Sequence, residues 1–351
     1  MDVNGFIEFC ENNYLFFMIS LMIYTAIPGF LTIYYALKSR KHPEKVTDSS
    51  FFKNEVSLAF LFLLIAGLMP VLFDKITPTF AVKAQIYFHL WDTVTVCIIV
   101  WTVLSIIWKK HNKVRNKILS EVEWQEQISD NFKDCFKTDI TRKASHFLFA
   151  AVLFILHFIY FTYPFKSWDQ VSSALFMMTD FLVVFIWIFT PFELLRLLKF
   201  DVLGKFAQDM GKISIYPDEL YTFTSSLPLM LSVIPFVLVS PQILYSVALI
   251  GALSDSAASI IGKRFGKRRS DKTKKTWEGY IAGFTSSFCL VFVVHLILPF
   301  SGINIFGVML MAFGAATGFL LVDRFAKTLP DNFLNPIVCG LILTAIYYVL
   351  V

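Results

Sequence analysis

The chain has 351 residues, 56% hydrophobic and 16% charged, with 39 Phe, a formal net charge of +5 and a mean hydropathy of +0.65. No soluble fold hides that many apolar side chains, so the composition excludes a soluble enzyme and points to a polytopic membrane protein. Five scattered cysteines (Cys10, Cys97, Cys135, Cys289, Cys339) form no CxxC pair and argue against a disulfide framework or a zinc site.

The first ten residues, MDVNGFIEFC, are acidic and carry no Lys or Arg, so no cleavable leader is expected there. Ten apolar stretches follow, at about 14–37, 55–73, 85–108, 145–163, 171–195, 221–240, 242–262, 280–299, 303–322 and 333–351. A hydrocarbon core of roughly 30 Å needs about 20 residues per helix. The stretches lack period-two alternation, so the predicted fold is all-α, a polytopic bundle of about ten transmembrane helices. Of the 31 Lys and Arg, 28 fall in alternate loops, which predicts that those loops, 263–279 among them, face the cytosol. Residues 1–108 are expected to be peripheral helices. Residues 109–143 are expected to be a charged cytosolic linker with a short amphipathic helix, lying on anionic headgroups, and residues 144–351 the working core. His89, Asp92 and Asp180 are read as intramembrane polar groups that pair between helices or meet a hydrated cavity, with a proton relay as the other reading. His157 and His295 are read as structural.

The most informative stretch is ALSDSAASIIGKRFGKRRSDKTKKTWEG, residues 252–279. Gly251, Asp255, Ala258 and Gly262 are spaced to share one helix face. Asp255 lies about 10 Å inside the helix end at 1.5 Å per residue. A carboxylate there costs about 2–3 kcal/mol unless it is paired or hydrated, which makes it a functional candidate, with a structural pair as the plain alternative. Eight Lys and Arg then follow within 263–279, interleaved with Gly262 and Gly266. Positive-inside bias explains fewer charges than that, and a polyphosphate or an anionic lipid headgroup fits them. The spacing is not that of a Walker A loop. Asp255, Glu278, Asp323 and Asp331 all fall at the same predicted boundary. Phosphates beside carboxylates imply Mg²⁺ between them.

SDSAASIIGKRFGK followed by KTKKTWEG resembles the polyprenol kinase and phosphatidate cytidylyltransferase superfamily, its dolichol kinase branch above all. The matching positions are Asp255, Ala258, Ser259, Gly262, Thr273, Lys274, Lys275, Thr276, Glu278 and Gly279. Arg142, Lys143 and His146 in TRKASH resemble the family's R-K-x-x-H. Glu193, Arg196 and Gly204 are similar to its E-x-x-R segment, and Asp331, Asn332 and Pro336 to its D-N-x-x-x-P. The four matches run in the family's order over about residues 140–351. Ser254 stands where the family commonly has Gly, and Asp323 precedes the D-N pair at a different spacing and is left out of the set.

The resemblance implies transfer of the γ-phosphate of CTP to the hydroxyl of a long-chain isoprenoid alcohol, with Mg²⁺ or a similar divalent ion. It implies Asp255, Glu278, Asp331 and Asn332 as catalytic, and Asp255 and Asp331 as metal ligands. Ser259, Gly262, Lys263, Gly266, Lys267, Arg268, Thr273, Lys274, Lys275, Thr276 and Gly279 are then the nucleotide-binding set. Arg142, Lys143, His146, Glu193 and Arg196 are expected to contact lipid or product phosphate. The expected partners are a membrane lipid alcohol and a nucleotide, not a nucleic acid. The expected location is the cytosolic face of the endoplasmic reticulum in a eukaryote or of the plasma membrane in a prokaryote. Phytol or diacylglycerol kinases and a cytidylyltransferase are the enzymatic alternatives, and a transporter of a phosphorylated substrate is the non-enzymatic one.

Overall fold

A computed structural model describes residues 3–39, 50–71, 77, 79–114, 119–131, 136–165, 168–268, 275–300, 302–325 and 331–351. Runs of Phe, Leu and Ile in hydrocarbon must satisfy every backbone group internally, and they do so as α-helices. The helices are α1 Val3–Asn12, α2 Tyr14–Ser39, α3 Ser50–Leu68, α4 Phe80–Val114, α5 Glu121–Asn131, α6 Phe136–Thr162 and α7 Gln170–Leu198. They continue as α8 Lys205–Ser214, α9 Ser226–Val233, α10 Pro241–Leu249, α11 Asp255–Phe265, α12 Trp277–Ile297, α13 Ile305–Phe325 and α14 Asp331–Leu350. No β-strand occurs among the described residues.

Eight helices among the described residues are long and apolar enough to cross a membrane: Tyr14–Ser39, Phe51–Val71, Phe80–Lys113, Gln170–Leu198, Pro241–Phe265, Trp277–Ile297, Ile305–Phe325 and Asp331–Leu350. Of the other two predicted stretches, one is the apolar part of α6, His146–Thr162, and the other is the short apolar helix Ser226–Leu238. In the second of these, α9 gives way to a 3₁₀ turn at Ile234–Leu238 that has Pro235 in its first turn. Proline lacks the N–H that would continue the α-helical ladder, so the helix tightens and stops short.

The chain divides into two compact units, residues 1–132 with 156–227, and residues 133–155 with 228–351. This division departs from the boundaries expected at 108 and 143. In the first unit α2 packs on α3 and α4, and α4 also packs on α1 and α7. The segment expected to be a linker is anchored by a tryptophan: Trp124 of α5 is buried with Phe200, Leu203, Ala207 and Ile215. Its indole N–H donates to Gln208 O at 2.9 Å. The charge pattern of 109–143 concealed that apolar anchor. In the second unit α11 packs on α12, α12 on α13, and α13 on α14, while α10 packs on α14. Exposed Phe306, Phe313 and Leu341 present an apolar exterior suited to lipid.

Candidate functional site

The second unit carries the site. Its long helix, Pro241–Phe265, does not run as a regular α-helix. A π turn, Ile250–Ser254, separates α10 from α11, and Asp255 follows it directly. A π turn inserts extra residues into a helix and is frequent at functional sites. The α-helical count that puts Gly251 and Asp255 on one face therefore does not carry through it.

Asp255 meets two further acids. A carboxylate oxygen from each of Asp255, Asp323 and Asp331 lies within 4.8 Å of one from each of the other two. Asp255 comes from the start of α11, Asp323 from the last turn of α13 and Asp331 from the first residue of α14. Asp255 and Asp323 are buried and Asp331 is partly exposed. The Lys275 ammonium sits among them, 2.5 Å from Asp323 Oδ1 and 3.1 Å from Asp331 Oδ2. Burial opposes the charge on Lys275, but the fields of Asp331, Asp323 and Asp255 outweigh it and hold the ammonium above the ordinary lysine value.

Among the described residues, three carboxylates and one ammonium meet here. The donor set, hard carboxylate oxygens with Asp323 Oδ2 buried and without a hydrogen-bond partner, fits a divalent ion such as Mg²⁺.

The basic loop is built on close backbone contacts. Gly266 caps α11, its N–H donating to Gly262 O at 3.1 Å. Thr276 caps α12: its Oγ1 accepts from Gly279 N at 3.2 Å and donates to Gly262 O at 3.4 Å. A Cβ on Gly266 would overlap Gly262 O, and one on Gly279 would lie 2.9 Å from Ala258 O. The motif glycines thus close the α11–α12 hairpin on itself. Where the loop re-enters, Trp277 N donates to Arg268 O at 3.0 Å and Arg268 N donates to Glu278 Oε2 at 3.5 Å. Lys263, Lys267 and Arg268 are exposed, and Ser259 and Lys275 are half-buried. Thr273 and Lys274 lie outside the described residues.

The remaining expected residues divide. Asn332 is buried, its N–H donating to Asp331 Oδ1 at 3.0 Å. His146 is buried on α6, and the side chains of Arg142 and Lys143 lie outside the described residues. Glu193 and Arg196 belong to the first unit and are fully buried there. Arg196 Nε and Nη2 donate to Glu193 Oε2 at 3.2 and 2.5 Å. Nη2 also donates to Thr222 O at 2.5 Å, and Nη1 to Glu219 O and Leu220 O at 3.2 and 2.7 Å. An arginine has five N–H donors. All five are spent on protein acceptors, which leaves none for the product phosphate expected there.

Asp323 is the residue that motif spacing passed over. One signal for it was in the sequence: it is the first charged residue after the uncharged run 305–322. Comparison with protein-family models, curated proteins and solved structures yields no match.

Proposed function

We propose that the chain is an integral membrane lipid kinase of the dolichol kinase type, moving the γ-phosphate of CTP to the hydroxyl of a long-chain isoprenoid alcohol. The observation that carries the reading is the convergence of Asp255, Asp323 and Asp331 around Lys275, the first two buried, next to the exposed Lys263, Lys267 and Arg268. The order of the four resembling motifs and the bias of Lys and Arg toward one set of loops support it, and support a site on the cytosolic face.

In this reading Lys263, Lys267 and Arg268 hold the triphosphate by charge, and Lys275 shares its ammonium between the triad and a phosphate oxygen. Glu278 holds the loop shut through Arg268 N. Asp255 orients the alcohol and takes its proton as the oxygen bonds to the γ-phosphorus. The bond from that phosphorus to the β,γ-bridging oxygen breaks, and CDP leaves. Asp255, Asp323 and Asp331 would hold a divalent ion, which when bound supplies neutralising charge to the phosphate oxygens. Positioning and charge neutralisation provide most of the rate in phosphoryl transfer, so this site needs no covalent intermediate.

The test is transfer from CTP labelled in the α or the γ position to polyprenols in vesicles. The expected result is γ-label in the lipid and none of the α-label, lost in Asp255→Asn. Transfer of α-label would identify a cytidylyltransferase instead, and near-normal transfer by Asp255→Asn would remove that residue from the mechanism.

A further inference from the structure

Beyond the charged triad, three uncharged side chains on α14 and the π turn have buried polar atoms without hydrogen-bond partners among the described residues. Asn335 is 1% exposed, and neither its Oδ1 nor its Nδ2 has a partner. Asn332 Oδ1 and Ser254 Oγ are buried and likewise unmet. Buried polar groups are almost always paired, and each unpaired one carries an uncompensated desolvation cost, so three on adjoining elements call for a ligand or ordered water.

Their placement ties them to the triad. Asn335 lies one turn beyond Asp331 on the same face of α14, about 6 Å further along at 1.5 Å per residue. Asn332 is its i−3 neighbour on that face. Ser254 is the last residue of the π turn and immediately precedes Asp255. The π turn packs directly on this part of α14: a Cβ on Gly251 would lie 3.1 Å from Pro336 Cγ. So the two elements that bring Asp255 and Asp331 to the triad also bring three neutral polar groups beside it.

The chemistry of these groups selects the ligand. A side-chain amide both donates and accepts, and a serine hydroxyl does the same. A metal ion leaves the amide N–H groups unmet, and a phosphate leaves its oxygen acceptor unmet. A neutral hydroxyl accepts from the amide N–H and donates its one proton to the amide oxygen in the bound state, turning that proton to Asp255 only as transfer begins. We propose that Asn335, with Asn332 and Ser254, forms the subsite that takes the hydroxyl of the lipid acceptor and presents it to the triad. The assignment deepens the kinase reading and rests on it for the identity of the lipid, and it separates hydroxyl recognition, by neutral groups, from phosphate recognition, by the basic loop.

The experiment uses the full chain in detergent without nucleotide, so that no phosphoryl transfer is needed for a result. Solanesol and solanesyl methyl ether are titrated, and binding is read from the ligand-dependent rise in melting temperature. The wild type is expected to bind the alcohol about tenfold more tightly than the ether, the worth of one well-made hydrogen bond. Asn335→Leu is expected to bind both alike. Ser254→Ala is expected to lose severalfold of the preference without any fall in the ligand-free melting temperature, because the hydroxyl it removes has no partner. Should Asn335→Leu fail to fold, Ser254→Ala decides the matter. Full preference in every folded variant, or no preference in the wild type because ordered water fills the pocket, overturns the proposal. Displacement of solanesol by dioleoylglycerol supports the hydroxyl subsite and changes only the lipid class. An intact alcohol preference together with no transfer of γ-label keeps the subsite and removes the kinase reading.

Discussion

Two buried ionic clusters, one in each unit, look alike in sequence and both leave buried carboxylate oxygens unmet, Glu55 Oε2 and Glu193 Oε1 in the first and Asp323 Oδ2 in the second; they differ in how their acids and cation are arranged. In the first unit the Arg196 guanidinium is saturated by Glu193 and by the carbonyls of Glu219, Leu220 and Thr222. The same chain segment gives its next amides to acids: Phe223 N donates to Glu55 Oε1 at 3.3 Å, Thr224 N to Glu193 Oε2 at 3.4 Å, and Ser225 N to Glu219 Oε1 at 3.0 Å. Its cation is wholly committed, and the cluster ties residues 219–225 to two membrane helices. In the second unit three carboxylates meet one lysine among the described residues, Lys275, with Asp323 Oδ2 buried and unmet. In the first unit the acids are spread over a saturated guanidinium and backbone amides, whereas in the second the three carboxylates converge within 4.8 Å of one another, the geometry that a divalent ion fits. Both clusters fell on motif residues of the same resemblance, so the motif did not tell them apart.

The comparison breaks most visibly at Arg196. Replacing it with Ala strips the partner from a buried carboxylate, and loss of one member of a buried pair costs about 3–5 kcal/mol. The expected outcome is a large fall in melting temperature and in the yield of folded protein. A stable Arg196→Ala protein with poor phosphate binding would reverse the assignment and return the residue to the site.

Asp323→Asn sharpens the other side. It keeps the shape of the side chain and removes one charge from the triad, so the protein should insert and melt normally. Transfer of γ-label should fall by about 10²–10³, the scale on which preorganised electrostatic groups act. Unchanged transfer in Asp323→Asn would show that the triad is not the reacting centre. A smaller effect is expected at Trp277, over whose ring the Arg324 guanidinium lies at 5.0 Å. Trp277→Leu removes a cation–π contact worth about 0.5–1 kcal/mol at an exposed site and should lower the melting temperature slightly, with transfer unaffected. A larger loss would mean that the tryptophan also anchors the basic loop.

Much of this was legible in the residues. The apolar runs at 14–37 and 303–322 announce membrane helices because hydrocarbon offers the backbone no alternative. Asp255 and the eight cations after it mark the site because charge at that depth needs a reason. The run at 221–240 misled, since composition does not show where Pro235 ends the helix. Asp323 was undervalued because spacing along the chain says nothing about two helix ends meeting in space.

The sequence alone thus determined the membrane class, the helical fold and the location of the charged loop, all of which follow from local composition and from what a helix does with it. The tertiary structure decided the rest. It placed Asp323 with Asp255 and Asp331, spent Arg196 on Glu193 and the carbonyls of Glu219, Leu220 and Thr222, turned the motif glycines to helix packing, and left Asn335 unmet one turn from Asp331. Those outcomes depend on which side chains meet across elements far apart in sequence, where hydrogen-bond capacity and charge must balance in a medium that tolerates no surplus.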